Sequence, residues 1–121
     1  MASRSLVVKV TTGKDDPERC NQGFTVAAAA VASGVQVSLW LTGEASWFAL
    51  PGRADDMALP FAAPLGKLLA GILEKGTVSL CTQCAARRQI SEDDLIEGIR
   101  IAGAPTFIAE ILADGAQALV Y

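Results

Sequence analysis

Leu6-Val7-Val8-Lys9-Val10, a β-branched run closed by Thr11-Thr12-Gly13, leads directly into the helix-start signal Asp15-Asp16-Pro17-Glu18. A run without polar alternation is apolar on both faces, so it predicts a buried strand placed centrally in a sheet. Asp16 suits the N-cap, Pro17 the first helical position and Glu18 the positive end of the helix dipole. High helix propensity carries the helix through Ala27 to Ala30 and on to about Ser33, and Gly34 ends it. Val35-Gln36-Val37-Ser38-Leu39-Trp40-Leu41 alternates as a second strand, and Thr42-Gly43-Glu44 turns the chain. A strand, a helix and a strand in this order demand a crossover and a parallel pair.

The pattern then repeats. Residues 42 to 60, with Pro51, Gly52 and Pro60, read as mixed helical turn and loop. Helical spacing returns at Leu65, Leu68, Leu69, Ile72 and Leu73, and Gly76 stops it before the short strand Thr77-Val78-Ser79-Leu80. Cys81-Thr82-Gln83-Cys84 follows, then the helical Ala85-Ala86-Arg87-Arg88. Ser91-Glu92-Asp93-Asp94 carries a capping signal with Asp94 as a weaker box partner than Glu or Gln. Gly98 to Ala102 reads as a fourth strand, Pro105 opens a last helix to about Ala113, and Ala118-Leu119-Val120 forms a final strand.

These repeats specify an α/β fold over residues 1–121: one domain, a three-layer α/β/α sandwich with a mostly parallel, five-stranded flavodoxin-like or Rossmann-like sheet. Chemistry in such sheets sits at the carboxyl ends of the strands, where both Thr11-Thr12-Gly13 and Cys81 fall. If the first and third strands are neighbours, as in a flavodoxin-like order, the first helix start and the C-x-x-C share one crevice, and Cys20 approaches it.

At 121 residues the chain buries a core without needing disulfides or metals. Hydrophobic residues make up 51% and charged ones 19%, more apolar surface than a small monomer usually hides, which points to self-association. A net charge of −3, with cations scattered apart from Arg87-Arg88, argues against direct binding of bare nucleic acid. No apolar run suits a membrane span, and Met1-Ala2-Ser3-Arg4-Ser5 lacks the apolar core of a signal peptide. With an odd count of three cysteines, the reading is a cytoplasmic protein with reduced thiols.

A strand that delivers Cys81 to a helix start places its thiol where backbone N–H groups favour an anion. The C-x-x-C spacing admits a redox dithiol, half of a metal site, or two structural cysteines. Zinc normally takes four Cys or His ligands, and this chain has no histidine and one further cysteine, Cys20, so no metal or other cofactor is implied. For redox chemistry Cys81 attacks and Cys84 resolves, although a thioredoxin-like motif belongs after a first strand, not a third. The alternative for Cys84 and Cys20 is packing as small hydrophobes. Arg87 and Arg88 offer electrostatic support to a thiolate or persulfide. Thr12, Gly13, Glu44 and Trp47 are accessory candidates around the same crevice, with Phe48 beside them. Neither Thr12-Gly13-Lys14 nor Leu65-Gly66-Lys67 has the spacing of a phosphate loop.

Cys81, five intervening residues and then Arg87-Arg88 after a short strand resemble the cysteine-to-Arg-Arg segment of the DsrE/DsrF/TusD-like family of the sulfur relay superfamily. The opening Thr-Thr-Gly strand with its capped helix, the strand ending in Leu41-Thr42-Gly43-Glu44, and the final Gly115 to Tyr121 segment extend the resemblance over most of the chain. It implies a flavodoxin-like or Rossmann-like sandwich that assembles into dimers, trimers or hexamers. It also implies a sulfurtransferase-type carrier, with Cys81 bearing a persulfide received from a donor protein and passed to an acceptor. Two residues depart from the family pattern. Gln89 stands where many relatives have glycine, and Cys84 adds a thiol able to release the outer sulfur of a Cys81 persulfide as sulfide by forming a disulfide. Two other functions stay open beside this one: a non-catalytic subunit that binds a small ligand or a protein, and a Cys81–Cys84 redox protein.

Overall fold

The computed structural model describes residues 4–121, so Met1 to Ser3 of the leader segment considered above lie outside the described residues. Strand β1 (Ser5–Val10) pairs on one side with β2 (Gln36–Leu41) and on the other with β5 (Ala116–Val120), as its doubly apolar sequence requires. Adding β3 (Thr77–Cys81) and β4 (Ile99–Ala102) completes a five-stranded, all-parallel sheet in the order β4-β3-β2-β1-β5. The sheet is therefore the expected α/β type. The condition that the first and third strands are neighbours is not met, because β2 lies between them.

Helix α1 (Pro17–Ala32) begins where the sequence predicts: the Asp16 carboxylate accepts from the Arg19 N–H at 3.4 Å, and Pro17 needs no hydrogen-bond partner. It ends at Ser33, with Gly34 at φ +84°, in the left-handed region that favours glycine. Two 3-10 turns, Gly43–Ala49 and Ala54–Asp56, occupy the mixed segment, and α2 (Leu65–Lys75) follows. Successive strands from β1 to β4 step in one direction, so right-handed crossovers put α1 and α2 on the same face, where they pack together. Val8, Val10, Leu39, Leu41, Val78 and Leu80 meet Phe24, Leu69 and Ile72 there, all 2% exposed or less. Each such side chain contributes about 1.5–3 kcal/mol by leaving water.

The short α3 (Thr82–Arg87) follows Cys81, and α4 (Ala104–Ile111) carries the chain back across the sheet to β5. This return runs the opposite way, so α4 covers the second face. That face is unlike the first. Strand register puts Lys9, Trp40, Ser79 and Arg100 in one row across it. Trp40 meets Phe107 of α4 edge to face at 5.4 Å. Glu110 accepts from Ser38 Oγ at 2.6 Å, from Trp40 Nε1 at 2.9 Å and from Arg100 at 2.6 Å. Ile108 on α4 and Leu112 at its C-terminal cap remain 48% and 75% exposed, so the apolar excess in the composition is partly displayed on this side.

Between α3 and β4 the capping signal forms a single 3-10 turn, Glu92–Asp94, and no longer helix. Asp94 does act as the box partner, accepting from the backbone N–H of Ser91 at 2.9 Å.

Candidate functional site

Cys81 is the last residue of β3 and the N-cap of α3, as the strand-to-helix reading anticipates. Its thiol is partly exposed. Partial burial opposes ionisation, but the backbone N–H of Cys84, the Cys84 thiol, the backbone N–H of Gln83 and the charge of Lys9 together hold its pKa below the ordinary thiol value. The anionic form is thus favoured by main-chain dipoles supplied by the turn itself.

Cys84, one turn later, is 8% exposed and faces inward. Its sulfur accepts from the Gly43 backbone N–H at 3.3 Å, and the Arg87 guanidinium lies 4.0 Å away. Arg88 turns elsewhere. It donates to the Cys84 carbonyl at 3.2 Å and to the Glu44 carboxylate at 2.9 Å, and its Cζ lies 5.9 Å from the Trp47 ring centroid. Of the two arginines, Arg87 is the one near a sulfur, while Arg88 braces the loop after β2 against α3.

That loop is joined to the loop after β1 by main-chain contact. A Cβ on Gly13 would meet the Glu44 carbonyl oxygen at 2.7 Å, and one on Gly43 would clash with the Thr11 carbonyl oxygen. Gly43 also has φ +53°, so it needs glycine for both space and conformation. The carboxyl ends of β1, β2 and β3 thus form one continuous edge, although β1 and β3 are not neighbours. Thr12 is enclosed, and its Oγ1 has no hydrogen-bond partner among the described residues.

Cys20 stands apart from this chemistry. It is 0% exposed within the core, and burial, followed by the charges of Asp15 and Asp16, pushes its pKa up to about 12. Its environment therefore keeps the thiol protonated and sealed.

Three residues outside the sequence-derived set stand out. Lys9 lies on the same sheet face as Cys81 and favours its thiolate, with its ammonium 5.1 Å from the Phe107 centroid. A lone lysine inside an apolar strand was the available signal. Lys14 and Arg53 line a pocket with Glu44, Trp47 and Phe48. No pattern in the sequence links those two positions.

The family model of the DsrE/DsrF-like family matches residues 4–121. The uncharacterized protein MJ0760 of Methanocaldococcus jannaschii is 35% identical over 104 residues, covering 85% of this chain and 38% of that protein's length. Among solved structures, the YchN protein of E. coli superposes with a TM-score of 0.80 at 20% identity, covering 98% of this chain and 99% of that one. The MTH1491 protein of Methanobacterium thermoautotrophicum superposes with a TM-score of 0.64 at 11% identity, covering 99% and 100%. The solved structures agree on the fold. With the family model spanning every described residue, the chain belongs to the DsrE/DsrF-like family.

Proposed function

We propose that the chain is a sulfur carrier in which Cys81 takes up sulfane sulfur as a persulfide and passes it to a partner. The observation that carries this reading is the Cys81 thiol: partly exposed at a strand end, with its anion stabilised by the first N–H groups of α3. The Cys81 thiolate attacks the outer sulfur of a donor persulfide, a new S–S bond forms on Cys81, and the donor's S–S bond breaks. Its electron pair leaves with the donor thiolate, so no net oxidation occurs. Arg87, close to the neighbouring sulfur, offsets negative charge gathered at this edge. Transfer onward repeats the step with an acceptor thiolate attacking the outer sulfur. The donor and acceptor proteins, a cytoplasmic setting and a homo-oligomeric assembly belong to the same proposal, the last supported by the exposed apolar residues of α4.

A dithiol function is a second reading, favoured by the Cys84 thiol, which follows Cys81 by one turn and helps to lower its pKa. In it, Cys84 attacks the inner sulfur of a Cys81 persulfide, forms the disulfide and releases sulfide.

Incubation of the reduced protein with a persulfide donor, followed by intact mass measurement, tests the carrier role. One added sulfur on the wild type and none on Cys81→Ser is expected; undiminished addition to Cys81→Ser refutes it. In the second reading, loaded wild type converts to a disulfide with release of sulfide, and Cys84→Ser holds the persulfide.

A further inference from the structure

The pocket beside the cysteine edge has a volume of about 210 Å³ and is lined by Lys14, Glu44, Trp47, Phe48 and Arg53. It is smaller than the roughly 300–1,000 Å³ typical of sites for drug-sized ligands, so its occupant is a small molecule. Its chemistry is divided. Trp47 supplies aromatic surface over the buried Phe48, while Lys14 and Arg53 supply cationic groups that form no ion pair or side-chain hydrogen bond among the described residues. Arg53 lies 5.0 Å from the Trp47 centroid, and stacking of this kind leaves its in-plane N–H donors uncommitted. The one carboxylate on the wall, Glu44, is already taken by Arg88 at 2.9 Å and by Trp47 Nε1 at 3.3 Å.

The pocket also adjoins the sulfur site. Glu44 follows Gly43, whose N–H donates to Cys84 Sγ at 3.3 Å, and Arg88 touches both Glu44 and the Cys84 carbonyl. A ligand with its anionic end at Lys14 and Arg53 and its carbon body on Trp47 therefore lies beside the cysteine edge.

We propose that this pocket is the recognition subsite for a small anionic persulfide donor, bearing a carboxylate or sulfonate on a short carbon chain, whose outer sulfur passes to Cys81 as its own thiolate leaves. The donor role rests on the carrier reading above, with a small molecule in place of a donor protein, whereas the anion site stands on the pocket alone. Arg53 and Lys14 bind the acid group and set specificity, and neither contacts the reacting sulfur.

The test is calorimetric titration of the reduced protein with 3-mercaptopropane-1-sulfonate, which binds without sulfur transfer, against uncharged propane-1-thiol. The sulfonate is expected to bind and the neutral thiol not to. Arg53→Ala and Lys14→Ala, both at exposed positions, should each weaken binding about tenfold, and Arg53→Lys should restore most of it. Equal binding of the neutral thiol, or sulfonate affinity unchanged in both alanine variants, overturns the proposal. So does binding of a short Asp/Glu peptide with the same residue dependence while the sulfonate fails to bind. Loading of Cys81 from saturating inorganic polysulfide is measured in parallel. Its failure with sulfonate binding intact strikes the carrier reading, and the converse strikes only the pocket.

Discussion

The backbone N–H of Gly43 donates to the sulfur of Cys84 at 3.3 Å, which ties the second cysteine of the C-x-x-C to the loop after β2 while Cys81 stays at the edge. The two cysteines are thus unequal. Trace alkylation with iodoacetamide near neutral pH should label Cys81 first, Cys84 more slowly and Cys20 only on unfolding, read by peptide mass. Rapid labelling of Cys20 in the folded protein would contradict its 0% exposure.

The pH profile of that labelling carries its own prediction. Because the Cys81 pKa lies below the ordinary 9.0, the alkylation rate should reach half its plateau below pH 9.0. Cys84→Ala removes the thiol that helps to lower the Cys81 pKa, so its midpoint should move upward. An unchanged midpoint would leave the backbone N–H groups and Lys9 as the whole cause.

Cys20 makes the fold sensitive to alkali. In the unfolded chain this thiol ionises around pH 9.0, whereas in the fold it holds its proton to about pH 12. The folded state binds more protons across that window, so stability falls as pH rises from about 9.0 towards 12. Cys20→Ala should flatten part of this decline in urea titrations, at a cost of about 1 kcal/mol at neutral pH for the small cavity.

Glu110 works in the opposite direction. Burial opposes its ionisation, but hydrogen bonds from Ser38, Trp40 and Arg100 win and hold its pKa below the ordinary 4.5. Its contribution is complete above pH 4.5 and is lost as pH falls through the lower folded value. Glu110→Gln should destabilise the protein by about 1–2 kcal/mol at pH 7 and show a shallower acid decline than wild type in the same urea series.

Gln89 has φ +56°, in the left-handed region, at the position where the family resemblance leads one to expect glycine. Gln89→Gly should stabilise the fold by about 1 kcal/mol, since relief of backbone strain exceeds the added entropy of the unfolded chain. A lowered melting temperature would mean that the Gln89 side chain makes a compensating contact in solution.

The strand and helix order was legible in the sequence because local signals agreed: the Asp16-Pro17 start, the Gly34 and Gly76 stops, and the doubly apolar Leu6 to Val10 run. Strand order was not legible from local pattern. Whether β3 adds beside β1 or beyond β2 depends on which sheet edge α2 crosses to, and the periodicity of a crossover helix is the same in both cases. The Cys81 environment was visible for a related reason, since a strand end and a helix start are sequence-local features. The Gly43 contact to Cys84 joins the loop after β2 to α3 across 41 positions of sequence, and no local pattern signals it. The brief capping box at Ser91 shows the limit of motif reading: the cap formed, but Leu95 is extended at ψ 151° and the helix stops after one turn.

The close approach of Gly13 to Glu44 and of Gly43 to Thr11 is made of main chain on both sides. The shape of this part of the edge is consequently insulated from side-chain chemistry. A saturation scan of residues 11–15 and 42–46 should therefore be sharply intolerant at the two glycines, where any Cβ prises the loops apart, and more permissive at exposed Lys14 and Glu44. Such a scaffold permits the side chains on these loops to diverge while the positions of Cys81 and Cys84 stay fixed.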